Sequence, residues 1–435
     1  MSTLDTFFRL TENKTSVRQE CLAGLTNFMT MAYLIFVVPG MLADAGMPHQ
    51  MAVVATIWAT VLGTLFMGLW GRYPVAVAPG LGICAYFSYH ICGNGGFTLP
   101  EALGAVFISG VIFLLLTVTR VRQMIVDAVP ADLKQAIVVG MGAFLAFIGM
   151  KNCGLVVSSP STFVTLGNVT SAETLLAVAG VFLMGVLLAR GVRSALLIGI
   201  IAVTVVSLVL GVTPLPKEAV FSAGMLFPGE TLFELDIKGA LSHGLFNIVV
   251  ALTLADMFDS MGVLIGLAQR GGFIRSDGSI ANLGRAMTVD AVSTMGGAVL
   301  GVPTVTAYVE CAAGAASGAR TGLTAIVTAL LFLCSLLAAP LVMVVPSHAT
   351  AAALIIVGAL MMQDVGKINF ARFEVALPAF LTIIAMPLTF NIATGFGFGF
   401  ISWCAIRLFM GAWREVSPIM YIVAACFAAN FVMRF

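Results

Sequence analysis

Charge is what this sequence has least of. Asp, Glu, Lys and Arg make up only 9% of its 435 residues, whereas soluble proteins average about 25%. So little charge would not cover a water-exposed surface of this size, which excludes a soluble enzyme and a disordered scaffold. The 21 basic and 20 acidic residues nearly cancel, so the chain offers no basic surface and nucleic acid is not an expected partner.

Patterns for disulfides, metals and processing are also missing. The four histidines lie far apart, and none of the eight cysteines forms a C-x-x-C pair. We therefore predict no disulfide framework, no metal site and no bound cofactor. A membrane enzyme would need a nucleophile–base pair or clustered metal ligands, and neither pattern occurs. The first residues are not a basic segment followed at once by an apolar core, so no cleaved signal peptide is expected.

Apolar sequence is what the chain has in abundance, with 60% hydrophobic residues. Runs long enough to cross about 30 Å of hydrocarbon follow one another along the chain. We predict an all-α polytopic membrane protein with fourteen transmembrane segments. The count is least certain after residue 372, where the runs are short and interrupted by Gly or Pro. The fifteen apolar stretches are 22–43, 51–70, 74–91, 101–119, 133–150, 172–189, 194–212, 240–267, 285–302, 303–319, 321–345, 347–363, 373–390, 392–410 and 417–433.

The basic residues predict the orientation of these segments. Lys and Arg concentrate in cytoplasmic loops, and a cytoplasmic N-terminus sorts them almost entirely to one side. We expect a multi-pass protein of the bacterial inner (plasma) membrane. Up to residue 372 the opposite side receives only Lys151, Lys217 and Lys238, and the cytoplasmic side receives Arg9, Lys14, Arg18, Arg72, Arg120, Arg122, Lys134, Arg190, Arg193, Arg270, Arg275, Arg285, Arg320, Lys367 and Arg372.

The two halves of the chain resemble each other. Residues 73–80 open the third segment of the first half, and residues 301–308 open the third segment of the second. Val129-Pro130 and Val345-Pro346 begin a second matching pair. Seven segments separate the partners, an odd number, so the halves have opposite topology. A 7+7 inverted repeat of this kind is typical of secondary transporters, whose substrate binds near the midplane where broken helices meet.

The sequences of the third and tenth segments are not typical of uninterrupted helices. Pro79 would interrupt a helix, and the Val and Thr residues of both segments favour extended backbone. We predict a short extended stretch followed by a half-helix in each, with the two stretches pairing antiparallel. Each half-helix would then direct its N-terminal amides towards a ligand.

Three acids lie deep in apolar segments: Asp256, Asp259 and Glu310. A charge at a helix centre costs about 2.5–3.5 kcal/mol on insertion scales, so each is a functional candidate. Asp256 and Asp259 are three residues apart and share a helix face. No Lys or Arg lies in these segments, which favours a neutral substrate. Burial disfavours an ionised carboxylate, which suits a proton carrier. The alternative is that these acids only fix helix packing.

Other polar and small residues have packing interpretations. Asn27 and Asp290 are expected to hydrogen-bond across helices. Gly314, Gly318 and Gly322 are expected to let helices approach closely. The alternating Gly and Phe residues of 395–400 are expected to pack in a helix interface, although Phe can also stack on an aromatic ligand.

At these residues the chain resembles a known family, the adenine/guanine/hypoxanthine permeases, which form the purine branch of the nucleobase–cation symporters (the nucleobase/ascorbate transporter superfamily). The resemblance covers nearly the whole chain. The stretches that carry it are residues 24–33, 78–82, 257–260, 305–310 and 320–325.

The resemblance implies a core domain and a gate domain, with the substrate between the paired stretches. The core would comprise residues 1–128 and 239–345, and the gate residues 129–238 and 346–435. Asp256 and Glu310 would hold the base, and Asp259 would lie nearer the core packing. The proton would be the coupling ion, carried among these three acids. The bilayer and the base are the expected partners, with a homodimer left open. Further expected substrate-binding residues are Thr26, Leu81, Cys84 and Tyr308.

One departure from the family bears on specificity. Relatives usually have Asn after the glycines of the third segment, and this chain has Cys84. An amide reads a purine edge and a thiol hardly does, so the preferred base stays open. Besides proton symport of purines, an anion carrier or exchanger on the same fold, a sodium-coupled nucleobase transporter and a channel remain alternatives. The buried acids speak against the anion carrier.

Overall fold

The first half of the chain is a series of helices interrupted by one buried strand. The computed structural model describes residues 3–119, 121–214, 227–229, 231–242, 246–271, 280 and 282–433. Two helices continue as π-helix, at Met67–Gly71 and Tyr86–Asn94. The elements up to residue 214 are α1 (Thr3–Phe8), α2 (Val17–Met31), α3 (Leu34–Asp44), α4 (His49–Phe66), β1 (Val77–Pro79), α5 (Leu81–Ala85), α6 (Leu99–Val118), α7 (Val121–Ala128), α8 (Ala131–Asn152), β2 (Val156–Ser159), β3 (Phe163–Leu166), α9 (Ala172–Ala189) and α10 (Ala195–Val209).

The second half also consists of helices interrupted by one buried strand. Three short 3₁₀ turns, at Leu336–Ala338, Met362–Lys367 and Trp413–Glu415, link its later helices. The elements are α11 (Ile237–Ser242), α12 (Phe246–Gly271), α13 (Leu283–Leu300), β4 (Val305–Ala307), α14 (Cys311–Ala316), α15 (Gly322–Ser335), α16 (Ala339–Val342), α17 (Ser347–Met361), α18 (Phe373–Thr389), α19 (Ile392–Phe409) and α20 (Pro418–Met433).

Many of the helices are long and apolar enough to cross a membrane. Within the described residues nine helical segments meet that condition, and three shorter apolar helices accompany them, namely α10, α18 and the described part of α20. Each of the fifteen predicted stretches contains helix or a strand–helix unit. The chain is therefore a mostly helical, multi-pass membrane protein.

The two buried strands pair as the sequence predicts. β1 runs antiparallel to β4, with Val77 opposite Ala307, Ala78 opposite Thr306 and Pro79 opposite Val305. The side chain of Thr64 accepts a hydrogen bond from the Val77 amide at 3.1 Å and donates to its carbonyl at 2.9 Å. Extended backbone at this depth is thus satisfied by a partner strand and a neighbouring helix, as buried polar groups require.

The helices pack in two groups. α2, α3, α4, α6, α12, α13 and α15 form one connected group, in which α4, α12 and α13 contact the strand pair. α8, α9, α10, α17, α18 and α19 form the other. α8 lies at the centre of the second group, against α17 and α18. Residues 231–236 join the first group, because the Phe233 amide donates to the Val299 carbonyl and the Asp236 amide to the Pro100 carbonyl, both at 2.9 Å.

The prediction of an all-α protein with strands only in the third and tenth segments was incomplete. β2 and β3 form an exposed antiparallel hairpin between α8 and α9, with Val156 opposite Leu166. Its residues are largely Val, Thr, Ser and Phe, which suit strands. The hairpin lies outside the predicted apolar stretches, where a pattern search for membrane spans does not look.

The predicted close approaches of helices at glycines are confirmed. A Cβ on Gly314 would collide with the side chain of Asn27, and one on Gly322 would collide with the backbone of Gly68. Gly318 has a φ of +100°, a conformation that other residues rarely adopt. The predicted hydrogen bond of Asn27 was wrong: among the described residues neither atom of its buried amide has a partner.

Candidate functional site

The strand pair brings the starts of two short helices together. α5 begins at Leu81, directly after β1, and α14 begins at Cys311, with Glu310 as its N-cap residue. The hydroxyl of Tyr308, after β4, donates to the carbonyl of Pro79 at the end of β1. Each strand therefore fixes where the other strand's helix begins, and the side chains that follow the strands meet around one point.

Glu310 presents one free oxygen near this point. The Tyr33 hydroxyl donates to Glu310 Oε1 at 2.6 Å, and Oε2 is buried with no partner among the described residues. A buried carboxylate oxygen without a donor is costly, so it is ready to accept an N–H group. Tyr33 is a site residue that the sequence analysis did not single out. Its signal was its place at the end of the motif 24–33, where the structure breaks the first span between α2 and α3.

Asp259 of α12 lies beside the strand pair. It is half-buried, and Thr306 of β4 donates to its Oδ2 over a long 3.4 Å. A Cβ at Gly80 would lie 3.5 Å from that oxygen and 3.3 Å from Thr306 Oγ1, so the glycine keeps room in front of the acid. Asp259 and Glu310 interact electrostatically. Two carboxylates thus converge here, and carboxylates accept hydrogen bonds without donating them.

The two acids of α12 have different neighbours, and their predicted order at the substrate stays a prediction. Asp256 is fully buried, and Thr294 of α13 donates to its Oδ2 at 2.8 Å. Asp259, not Asp256, contacts the strand pair. Three residues of helix advance about 4.5 Å along the axis, so two acids on one face reach different neighbours. Sequence spacing alone gives the shared face but not the depth of each acid.

A buried cation accompanies Asp256, contrary to expectation. Arg122, sorted to a cytoplasmic loop by the sequence, is 0% exposed in α7. Its guanidinium lies 3.2 Å from Asp290 Oδ2 and 3.3 Å from the Met287 carbonyl, and it stacks 4.3 Å from the Phe113 ring centre. The predicted cross-helix bond of Asp290 is confirmed, with Arg122 as its partner. The apolar runs alone did not indicate that a residue between them folds back inside.

The remaining predicted site residues lie at different distances from the strand pair. Leu81 and Cys84 are buried in α5, and Tyr308 is buried against β1. Thr26 donates to the Leu22 carbonyl of its own helix at 2.9 Å. One turn later, Thr30 instead reaches the Glu310 carbonyl at 3.5 Å. The described contacts therefore bring Thr30 to the site and leave Thr26 engaged within α2.

An aromatic cluster joins the two helix groups beside these acids. Phe258, between Asp256 and Asp259, has its ring 6.2 Å from Phe396 and 6.1 Å from Phe400 of α19. The prediction that the Gly–Phe run packs in a helix interface is confirmed. In the part of the chain that the structure describes, no three His, Cys, Asp or Glu side chains are grouped to hold a metal ion.

Comparisons with known sequences identify the family of this chain. The model of the family described as "Permease family" matches residues 18–398. A permease of Methanocaldococcus jannaschii is 46% identical over 99% of each chain. The guanine/hypoxanthine permease PbuO of Bacillus subtilis is 39% identical over 97% of this chain and 98% of that one. The adenine permease AdeQ of Escherichia coli is 37% identical over 99% of this chain and 96% of that one.

Solved structures share the fold at low sequence identity. The transmembrane domain of the cyanobacterial bicarbonate transporter BicA superimposes with a TM-score of 0.68 at 15% identity, covering 86% of this chain and 96% of that one. SLC26A9 superimposes with a TM-score of 0.60 at 10% identity, covering 94% of this chain and 68% of that one. At these identities the likeness concerns architecture only.

Proposed function

Because the chain belongs to the permease family, we propose that it is a secondary active transporter that imports purine nucleobases: adenine, guanine and hypoxanthine. The observation that carries the proposal is the pair of carboxylates at the paired strands: Asp259 accepts from Thr306 of β4, and Glu310 is the N-cap residue of the helix that follows β4. The names of its guanine/hypoxanthine and adenine permease relatives support the substrate class.

The proposed binding mode uses hydrogen-bond acceptors for a neutral ring. Purine bases offer ring and exocyclic N–H donors, and Glu310 Oε2 and Asp259 are the acceptors closest to the strand pair. Tyr33 holds the other oxygen of Glu310, which orients the carboxylate before the base arrives. Leu81, Cys84 and Tyr308 would form the wall on the α5 side.

Transport is proposed to be proton symport, with the coupled proton carried among Asp256, Asp259 and Glu310. The base is neutral, so each proton moves one net charge inward. One charge moved through 100 mV is worth about 2.3 kcal/mol. That drives about a 50-fold accumulation, since about 1.4 kcal/mol corresponds to tenfold. The basic residues would place the N-terminus in the cytoplasm, with the protein in the bacterial inner membrane.

Alternating access is proposed to occur between the core (1–128 and 239–345) and the gate (129–238 and 346–435). These would form fourteen spans in a 7+7 inverted repeat. The two packing groups of helices and the antiparallel strand pair support this division.

An anion carrier on the same fold is the weaker candidate. A cation would favour binding of a small anion, and the buried Arg122 near these acids is already paired with Asp290. Asp259 and Glu310, which lie beside and after β4, repel anions when ionised.

Uptake by cells that lack their own carriers tests the proposal. Labelled adenine, guanine, hypoxanthine, xanthine and uracil are supplied with and without an uncoupler. We expect concentrative uptake of at least one purine, no uptake of uracil, and loss of accumulation with the uncoupler. Uptake of none of the bases would contradict the substrate class. Accumulation that survives the uncoupler and vanishes without sodium would replace the proton by sodium.

A further inference from the structure

The proposed function leaves a buried ion pair beside Asp256, Arg122 with Asp290, without a role. Arg122, Asp256 and Asp290 are each fully buried, and they come from α7, α12 and α13. Buried polar residues that only join helices need no net charge, and ionisable residues at membrane depth mark ion and proton pathways. The cluster lies one helical turn from Asp259, behind the proposed substrate site.

The charges in this cluster do not balance. Arg122 pairs with Asp290 at 3.2 Å, and Asp256 interacts electrostatically with both. Two ionised carboxylates beside one guanidinium would leave an uncompensated buried charge, which folded proteins avoid. The cluster is neutral when it holds one proton.

The hydrogen bonds leave room for that proton. Asp256 accepts one bond, from Thr294, on Oδ2. Its Oδ1 is buried without a partner among the described residues. A protonated carboxyl group has a donor to offer where an ionised one has only acceptors.

The cluster also contacts the elements of the substrate site. The Ala307 amide of β4 and the Ser260 hydroxyl lie beside the Asp290 carboxylate, and the neighbouring Thr306 donates to Asp259. A change of charge behind β4 would therefore act on the strand that positions Asp259. The groups that face the cluster are Asp256, Asp259 and Ser260 from α12, Met287, Asp290 and Thr294 from α13, Arg122 from α7, Phe113 from α6 and Ala307 from β4.

We propose that this cluster, and not the substrate acids Asp259 and Glu310, holds the coupled proton on Asp256, with Arg122 and Asp290 as the pair that positions and charge-balances it. The inference rests on the proposed function. Its ligand is a proton, and within the described residues Arg122 and Asp290 make no hydrogen bond to Asp259 or Glu310.

The test uses the purified full chain in liposomes that enclose a pH-sensitive dye. Base exchange is measured by counterflow of labelled hypoxanthine, and proton entry by the dye when base is added outside. We expect the wild type to do both. Asp256→Asn should lose the proton signal while counterflow of base stays measurable. Asp256→Asn that still brings in protons with the base would overturn the proposal.

Variants of Arg122 separate positioning from mere structural support. Without its cation the cluster holds protons more firmly, so Arg122→Gln should raise the pH of half-maximal uptake by about 1–3 units. Arg122→Lys should restore the wild-type profile. Arg122→Gln/Asp290→Asn, which balances the charge again, should lie nearer the wild type than Arg122→Gln does. If Arg122→Gln does not fold, the proposal is tested by the pH profile of Arg122→Lys and the proton signal of Asp256→Asn.

The outcomes distinguish the inference from the function on which it rests. A wild type that exchanges no purine at all refutes both. A wild type that exchanges purines, together with an unshifted pH profile in the Arg122 variants, refutes only the proton cluster.

Discussion

Single side chains decide what the proposed site recognises. Glu310 is oriented by Tyr33 through one short hydrogen bond and keeps its second oxygen free. A hydrogen bond to a charged group contributes about 1.5–3 kcal/mol. The chemistry of the site therefore depends on the charge of Glu310 and on its orientation, and these two properties are tested by different substitutions.

Glu310→Gln removes the charge and keeps the size. We expect it to abolish concentrative uptake, because an amide presents a donor where the base needs an acceptor. The measurement is uptake of labelled hypoxanthine, with membrane abundance followed by immunoblot. Glu415→Gln, at an exposed carboxylate paired with Arg407, is the matched control and should transport normally. Wild-type accumulation by Glu310→Gln would make Glu310 a structural residue.

Tyr33→Phe tests orientation without changing charge. Loss of the 2.6 Å bond to Glu310 should weaken binding of the base by about 10- to 100-fold, the equivalent of one charged hydrogen bond. Equilibrium binding to purified protein measures it. An unchanged dissociation constant would show that the carboxylate is held by other groups.

The two acids of α12 should respond differently to the same change. We expect Asp259→Asn to weaken base binding more than Asp256→Asn does, because Asp259 contacts the strand pair and Asp256 is bound to Thr294. The readout is again equilibrium binding. Equal losses, or a larger loss in Asp256→Asn, would return Asp256 to the substrate site.

The sequence predicted which acids are functional candidates but not which side chains contact them. Rarity of charge in apolar segments indicated Asp256, Asp259 and Glu310 as special, since such charges are costly anywhere in a membrane. Their partners were beyond reach: Tyr33 is some 277 positions from Glu310 in the chain, and Arg122 lies 168 positions from Asp290. Contacts between segments so far apart in the chain produce no regular residue spacing from which they could be predicted.

At the scale of elements, the backbone amides at a helix start can be hydrogen-bonded by a side chain from a distant helix as well as by a neighbouring residue. Glu20 of α2 is fully buried at the start of α15. Its carboxylate accepts bonds from the Arg320 amide at 3.0 Å, the Thr321 amide at 3.2 Å and the Thr324 hydroxyl at 2.6 Å. An acid at a helix N-terminus supplies the missing acceptors and complements the helix dipole.

Glu20→Gln should therefore destabilise the protein without touching the substrate site. The side-chain NH2 of glutamine would face the backbone N–H groups that now donate to Glu20. We therefore expect a loss of about 2–3 kcal/mol in the free energy of unfolding. Thermal unfolding in detergent measures the change. Glu12→Gln, at a carboxylate that is 68% exposed and only 3.6 Å from Arg9, should leave the midpoint almost unchanged. Equal midpoints for the two variants would contradict this role of Glu20.

The elements themselves were more predictable than their partners. Pro79 and the neighbouring Val and Thr residues predicted the strand pair. Proline removes a backbone hydrogen bond from a helix, and Val and Thr favour extended backbone. The long apolar runs gave the helices, because bilayer thickness sets their length. The β2–β3 hairpin was missed because it lies outside the apolar runs, where hydropathy carries no signal.

At the scale of the whole molecule, polar contacts join the two helix groups at one end. Asn152 of α8 donates to the Tyr89 hydroxyl at 3.0 Å, and Tyr89 donates to Asp44 at 2.7 Å. Asn391, between α18 and α19, lies 3.1 Å from His90. If the groups move against each other during transport, these contacts must break and re-form.

Tying Tyr89 to Asn152 should therefore stop the cycle. In a variant without the eight native cysteines, we expect Tyr89→Cys/Asn152→Cys to lose uptake when a short bis-maleimide links the two thiols. Uptake should return when the link is made with a bis-methanethiosulfonate and then cleaved by a reductant. Each single-cysteine variant treated alike is the control and should still transport. Full uptake by the bridged protein would mean that these ends do not separate.

This chain should by itself accumulate a purine, driven by a proton gradient. The most direct measurement is uptake of labelled hypoxanthine by liposomes containing only the purified protein, with an alkaline, electrically negative interior imposed. We predict accumulation above the external concentration that an uncoupler collapses and that excess unlabelled adenine or guanine reduces. Hypoxanthine that stays outside, or that only equilibrates whatever the gradient, would contradict the account.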